Sequence, residues 1–586
     1  MNNLRRLWSY LPKRRHKQFW FLFLLMNIAT FAEVASIGMV LPFLAVLTEP
    51  DLVYGYQLAQ PVIDLFNIEN SSQLALVLTI SFITIIFAAG VIRLLLLYVM
   101  TRLSFAAGSD ISVDMYRKTL YQKYSIHMER NSSELINSIS RKASMSIGVM
   151  RSFLTIVSSV IMLIGVMFAL LAISYKLAIT MFFGFGFIYL VVISLTRNKL
   201  KKDGQLIASK STQMIKSLQE GIGGIRDVLI DGSQKFYSQL YRDADYKLRI
   251  AAGNVAFIGG SPRFIIEAIG IIIIVTIAYL MTKSGSNAVI PIIGAFALGA
   301  QRTLPAVQQA YGAYTNILSS KASLEDVLML LDQEIPHYVN KPLALSMAFN
   351  KDIELKNLWF KHKSSENWIL KNSNLRFVKG SKVGFIGATG VGKSTLLDII
   401  MGLLDPTDGS VLVDGQQLND KNKRSWQMHI AHVPQNVFLS DGSIEENIAF
   451  GLPKDQIDHE RIFRAAEQAK ILDIVNKQSL GNKNIIGERG IKISGGQRQR
   501  LGIARALYKK ADVLVFDEAT SALDDNTEKE IMNEIKELGP DLTIFIIAHR
   551  LTTLKICDQI VKLDANHEVS SGSYREIIGD IGSQDK

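Results

Sequence analysis

The sequence predicts a chain in two parts: an all-α transmembrane domain of six helices, followed by a soluble α/β domain. Three observations predict it. Apolar residues gather in long runs over 19–310, whereas 350–586 has the mixed composition of a soluble domain. A glycine-rich loop, Gly387-Ala388-Thr389-Gly390-Val391-Gly392-Lys393-Ser394, lies between the apolar run Val383–Ile386 and the helical pattern Thr395–Met401. A second apolar run, Val513–Phe516, ends in Asp517-Glu518.

Composition narrows the class. Hydrophobic residues make up 48% and charged residues 20%, which excludes a disordered chain and is too apolar for a typical soluble enzyme. The net charge of +11 would suit a nucleic-acid binder, but the loops between apolar runs hold much of it, so no nucleic acid is expected as a partner. Cys557 is the one cysteine, which excludes a disulfide framework and a cysteine-cluster metal site and leaves it as a packing residue.

A membrane span needs about 20 mostly apolar residues. Six segments qualify: about 19–47, 73–100, 147–173, 177–196, 257–282 and 288–312. The first follows a basic stretch (Arg5, Arg6, Lys13, Arg14, Arg15, Lys17) and is too long for a signal-peptide core, so it reads as a retained membrane helix. Thr48 to Ser72 has no Lys or Arg, whereas 102–146 and 197–256 are rich in both. The N-terminus, the two long loops and the C-terminal domain are therefore expected on the cytoplasmic side.

The long loops lack proline and carry helical patterning. Two helical hairpins would reach roughly 33 Å beyond the bilayer if each leg held about 22 residues. Their turns are expected near Tyr124–Ser133 and near Gly221, Gly223 and Gly224. In the outer loop Leu58, Val62, Leu65 and Phe66 share a helical face, which suits packing on the bundle or the outer lipid interface. Residues 318–351, with Pro336 and Pro342 and no strand pattern, read as a linker between a transmembrane domain over 1–317 and a soluble domain over 352–586.

The soluble domain carries the chemistry. Gly387 to Ser394 fits G-x-x-x-x-G-K-[ST] in the strand–loop–helix context that the motif requires. Backbone N–H groups of Gly387, Ala388, Thr389, Gly390, Val391 and Gly392 would curl around phosphate oxygens, and the helix opening at Lys393, Ser394 and Thr395 adds a favourable field. Lys393 would neutralise the β- and γ-phosphates and Ser394 would ligate Mg²⁺. Asp517 would hold the same ion, and Glu518 would act as general base toward the attacking water. ATP and Mg²⁺ are the expected cofactors.

With Ile493-Ser494-Gly495-Gly496-Gln497 between the loop and the acidic pair, this order resembles the ATPase domain of ABC transporters over about 352–580. The resemblance implies further roles. Gln435, in Val433-Pro434-Gln435-Asn436, matches the glutamine loop that senses Mg²⁺ and contacts the membrane domain. Ser494, Gly495, Gly496 and Gln497 match the signature that completes an ATP site on another ATPase domain. Ser521 to Asp524 matches the D-loop, and His549 the switch histidine on the γ-phosphate. His362 aligns with the adenine-stacking aromatic, with Trp359 and Trp368 as alternatives. Ile493 stands for the usual leucine, and Ile485 for a glutamate upstream of Gly487-Glu488-Arg489-Gly490. The hairpin tips would touch the ATPase domain and transmit its motion. One ATPase domain and six spans imply a half-transporter of exporter type that works as a homodimer with two composite ATP sites.

The spans hold Glu33, Arg93, Arg263, Glu267 and Arg302. A charge at mid-bilayer costs about 2.5–3.5 kcal/mol on insertion scales, so each faces a cavity or a partner. Structural pairing and substrate contact both fit, and Arg263 with Glu267 is a helical i, i+4 pair. Among these five, three arginines against two glutamates leave a positive surplus suited to an anionic amphipathic lipid. Glu33…Ser36-Ile37-Gly38…Pro42-Phe43, Pro262-Arg263…Glu267 and Arg302…Pro305 resemble the lipid-linked oligosaccharide flippases of bacterial protein N-glycosylation, which implies the bacterial inner membrane. On that resemblance Arg93, Arg263 and Arg302 would contact a pyrophosphate, and the outer segment would hold a polyprenyl tail. An exporter of another lipid, a drug or a peptide is the alternative. A soluble DNA-repair ATPase conflicts with the spans, and an ATP-gated channel conflicts with an intact Glu518.

Overall fold

The computed structural model describes residues 2–48, 60, 63–64, 68, 70–173, 175–283, 289–336, 339, 347–363, 365–473, 493–520, 523–537, 539–548, 550 and 553–577. They form two compact units, 1–122 with 129–334, and 123–128 with 335–586.

The first unit is all helix. Among the described residues, five helical stretches are long and apolar enough to cross a membrane: Lys13–Leu47, Ser71–Leu120, Ser132–Ala172, Phe182–Gly223 and Gln234–Ile272. The sixth expected span coincides with the helix Val289–Ser319. Helices satisfy every backbone donor and acceptor internally, which a lipid environment demands. Phe31, Phe87, Phe183 and Leu195 point outward, as lipid-facing side chains do. The helix Ser71–Leu120 has 50 residues. At 1.5 Å per residue it measures about 75 Å, more than twice a hydrocarbon core of about 30 Å. The expected helical legs are thus unbroken extensions of the spans.

The turns fall where the sequence placed them. The helix Ser71–Leu120 stops before the short helices Tyr124–Glu129 and Ser132–Asn137, the latter capped by the Asn131 side chain, which accepts from the Ser133 N–H at 3.0 Å. The helix Tyr175–Gly223 stops at the glycine cluster, and Gly224 opens Ile225–Ile230. Leu58, Val62, Leu65 and Phe66 lie outside the described residues.

Within the stretch read as a linker, Lys321–Leu331 is a helix. Its Leu324, Val327, Leu328 and Leu331 are buried with Leu7, Met26, Leu103 and Met115. Beside them the buried Lys142 ammonium pairs with Asp326 at 2.6 Å. Gly204 permits a close helix crossing: a Cβ there would stand 2.2 Å from the Ser319 carbonyl oxygen.

The second unit carries two sheets. Strands β1 (Asp352–Phe360), β2 (Leu370–Val378), β4 (Asp408–Val413) and β5 (Gln416–Gln417) form an antiparallel sheet in the order β2-β1-β4-β5. Strands β3 (Lys382–Ile386), β6 (Ile430–Val433), β7 (Val513–Asp517), β8 (Thr543–Ile547), β9 (Gln559–Leu563) and β10 (Val569–Gly572) form the second sheet, ordered β10-β9-β3-β8-β7-β6. It is parallel from β9 to β6, and β10 runs antiparallel at its edge. Continuous apolar runs suit strands covered on both faces. Alternate residues face opposite ways, so Val513, Val515, Phe545 and Ile547 enter one core, and Leu514, Phe516, Ile544 and Ile546 enter the other. Trp426 fills the first core with its indole N–H bonded to the Ile400 carbonyl at 2.8 Å. Lys123 belongs to this unit, where its ammonium meets Asp405 at 3.1 Å and Asp420 at 3.0 Å. Burial opposes its charge, yet Asp420 and Asp405 hold its pKa above the ordinary lysine value.

Candidate functional site

In a parallel sheet, ligands bind beyond the carboxyl ends of the strands. The glycine-rich loop follows β3, Gln435 follows β6, Asp517 ends β7, and His549 follows β8 in sequence. One edge of one sheet therefore collects the glycine-rich loop, Gln435 and Asp517. His549 itself lies outside the described residues, as do Ser521, Ala522, Ile485 and Gly487 to Gly490.

The loop fits a string of phosphates. Gly387 has φ +144° and Gly392, at the N-cap of the helix Lys393–Ile400, has φ +111°. Side chains rarely adopt either conformation. A Cβ on Gly387 would also lie 2.5 Å from the Leu563 carbonyl oxygen. Ala388, Thr389 and Gly390 are exposed, and Val391 packs beneath them. The buried Lys393 folds back over the loop, its ammonium donating to the carbonyls of Gly387 at 2.8 Å and Ala388 at 3.0 Å. A phosphate reaching the loop would draw that ammonium to itself.

The donor set also fits Mg²⁺. The Ser394 hydroxyl donates to Asp517 Oδ1 at 3.2 Å. Adjacent oxygens around octahedral Mg²⁺ stand about 3 Å apart, given bonds of about 2.1 Å. Burial pushes the Asp517 carboxyl above its usual range, the Ser394 hydroxyl opposes this, and the Glu518 charge adds to it. Asp398 is pushed up to about 6 by burial and then by Asp517. A divalent cation would relieve this crowding of carboxylates.

Glu518 has φ +52°, the left-handed region that a side chain occupies at a cost of about 1–3 kcal/mol. Its N–H donates to the Ile547 carbonyl at 3.1 Å, which fixes the turn to the end of β8. Its Oε2 accepts from the Gln435 side-chain amide at 2.6 Å. The structure thus assembles Gly387 to Ser394, Gln435, Asp517 and Glu518.

Several other predicted residues make contacts within the chain. Ser494 caps the helix Gly495–Tyr508 in a reciprocal box with Gln497: its hydroxyl accepts from the Gln497 N–H at 3.2 Å, and its own N–H donates to Gln497 Oε1 at 2.9 Å. Gly495 and Gly496 leave that helix end clear of side chains. Asp524 accepts from the Thr527 N–H at 3.0 Å and its hydroxyl at 2.8 Å, which holds the Asp524 pKa down. His362 meets the edge of Phe360 at 5.2 Å, and Trp359 and Trp368 meet each other at 5.2 Å. In the first unit Arg93 lies 3.7 Å from the buried Glu33, and Arg263 lies 3.7 Å from Glu267. Two of the three arginines assigned to substrate are thus paired with carboxylates. Arg302 lies in the helix Val289–Ser319, its side chain outside the described set.

Sequence reasoning missed Glu528, a buried carboxylate bonded to Thr520, Arg550 and Thr553. Its sequence neighbourhood, Thr527-Glu528-Lys529-Glu530, carries no signal that separates it from a solvated helix face.

Comparison with known proteins agrees with this geometry. Residues 38–291 match the ABC transporter transmembrane region family, and residues 370–521 match the ABC transporter family. The ATP-dependent lipid A-core flippase of Alkalilimnicola ehrlichii is 30% identical over 407 residues, 68% of each chain. That of Cupriavidus metallidurans is 26% identical over 493 residues, 83% of this chain and 82% of its own. The beta-(1→2)glucan export ATP-binding/permease protein NdvA of Brucella suis is 30% identical over 486 residues, 81% of this chain and 79% of its own. A solved structure of a bacterial Atm1-family ABC exporter with ATP bound shares the fold, with a TM-score of 0.76 at 22% identity over 97% of this chain and 96% of that one.

Proposed function

The chain belongs to the ABC transporter family as a half-transporter of the exporter type, and on that premise we propose that it flips or exports an amphipathic anionic lipid, most specifically a polyprenyl-pyrophosphate oligosaccharide. It is an ATP-hydrolysing membrane transporter. The observation that carries the proposed hydrolysis is the cluster at the sheet edge, where Gln435 holds Glu518 at 2.6 Å and Ser394 meets Asp517 at 3.2 Å.

In this reading Gly387 to Thr395 binds the triphosphate, Lys393 balances its charge, and His362 stacks on adenine. Ser394, Asp517 and Gln435 would hold Mg²⁺, which would neutralise charge on the triphosphate. Glu518 takes a proton from water as the water oxygen bonds to the γ-phosphorus and the bond to the β-phosphate oxygen breaks. ADP and phosphate leave. His549 contacts the γ-phosphate. Ser494 to Gln497 and Asp524 of a second copy close the site, giving a homodimer with two ATP sites. The protein would sit in the bacterial inner membrane with both termini cytoplasmic.

Two considerations support the substrate class. The relatives include proteins named as flippases of lipid A-core and exporters of beta-(1→2)glucan. The spans also hold a surplus of arginine over glutamate. Flipping of a labelled polyprenyl-pyrophosphate oligosaccharide in proteoliposomes tests the proposal. ATP-dependent flipping that weakens in Arg302→Ala supports it. Sustained ATPase activity without flipping would move the substrate to another lipid, a drug or a peptide.

A further inference from the structure

Glu528 joins two loops that sequence keeps apart. It lies in the first turn of the helix Asp525–Glu537 and is 5% exposed. One carboxylate oxygen accepts from the Thr520 hydroxyl at 2.9 Å and the Thr553 hydroxyl at 2.7 Å. The other accepts from Arg550 at 2.7 Å. Thr520 is two residues beyond Glu518, and Arg550 adjoins His549 in sequence.

A buried carboxylate is costly unless paired, and here all its contacts converge on these two segments. The helix has other anchors: Ile531, Met532 and Ile535 bury its apolar face, and Asp524 accepts from the Thr527 N–H in the first turn. A buried carboxylate bonded to both loops fixes their separation. Charge-assisted bonds hold that separation more tightly than apolar packing would.

We propose that Glu528 is a positioning residue for hydrolysis. It sets the spacing between the segment leaving Glu518 and the segment carrying His549. It acts through Thr520, Thr553 and Arg550, and the inference rests on the reading of Glu518 as the base.

The test uses the full chain, with Glu528→Gln, Arg550→Ala, the double variant and Glu518→Gln compared by kcat, ATP affinity and ATP-binding stoichiometry. Misplacing a reacting group by about 1 Å can cost about 100-fold. The expected result for Glu528→Gln is a kcat lowered about 10-fold to 100-fold, with ATP affinity and stoichiometry retained. Arg550→Ala should behave alike, and the double variant should be no worse than either single change. An unchanged kcat per bound ATP, or effects that multiply in the double variant, would overturn the proposal. Should Glu528→Gln fail to fold, Thr553→Val removes one hydroxyl at constant shape and should still lower kcat, whereas Thr553→Ser should not. If Glu518→Gln is inactive while Glu528→Gln is normal, only the positioning role fails. If Glu518→Gln hydrolyses at the wild-type rate, the base assignment fails first.

Discussion

The side-chain amide of Gln435 donates to Glu518 Oε2 at 2.6 Å, joining the loop after β6 to the end of β7. The amide N–H holds the carboxylate oxygen in place, as a general base must be held. A carboxylate at 435 would remove that donor and place like charges side by side. Gln435→Ala should therefore lower kcat, and Gln435→Glu should lower it further. Steady-state ATPase activity checks this, and a wild-type kcat in Gln435→Glu would contradict the contact.

Arg93 and Glu33 form the second relationship with a clear consequence. Glu33 is buried and Arg93 half-exposed, so removing Arg93 leaves the buried carboxyl without this partner. Arg93→Gln should lower thermal stability, and adding Glu33→Gln should restore much of it. Melting of the purified protein reads the outcome. Stability unchanged by Arg93→Gln, together with a loss of substrate stimulation, would return Arg93 to the transport path.

His432 supplies a pH dependence. Burial on β6 pushes its pKa down to about 4, from an ordinary value near 6.5. The unfolded chain then binds more protons than the folded one between those values, so acidification through this window costs stability. Asp398, pushed up to about 6, works in the opposite direction over part of the same window. Comparison with His432→Gln cancels that contribution. The wild type should lose more melting temperature than His432→Gln between pH 6.5 and pH 4.5. Parallel losses would contradict burial of a neutral imidazole.

The sheet was legible because its strands are short, continuous apolar runs, each followed by a residue type that its loop chemistry requires. Val383–Ile386 leads to glycines that must adopt positive φ, and Val513–Phe516 leads to two carboxylates. The first-unit helices were legible from apolar length, and the turn near Gly224 from helix-weakening glycines. The helix Lys321–Leu331 stands just before Pro336 and Pro342, whose loop signal overlies its own. Its stripe of Leu324, Val327, Leu328 and Leu331 is helical in spacing. Arg263 with Glu267 could be read from i, i+4 spacing, whereas Arg93 with Glu33 depends on two helices meeting. The left-handed backbone of Glu518 and the three partners of Glu528 arise only when β7, β8 and their loops converge, so no local pattern marks them.

The most direct test of the account is ATP binding and hydrolysis by wild-type and Glu518→Gln protein, side by side in proteoliposomes. The account predicts that both bind Mg-ATP and that the variant hydrolyses it about 100-fold or more slowly, the scale of a lost general base. Hydrolysis by Glu518→Gln at the wild-type rate would contradict it.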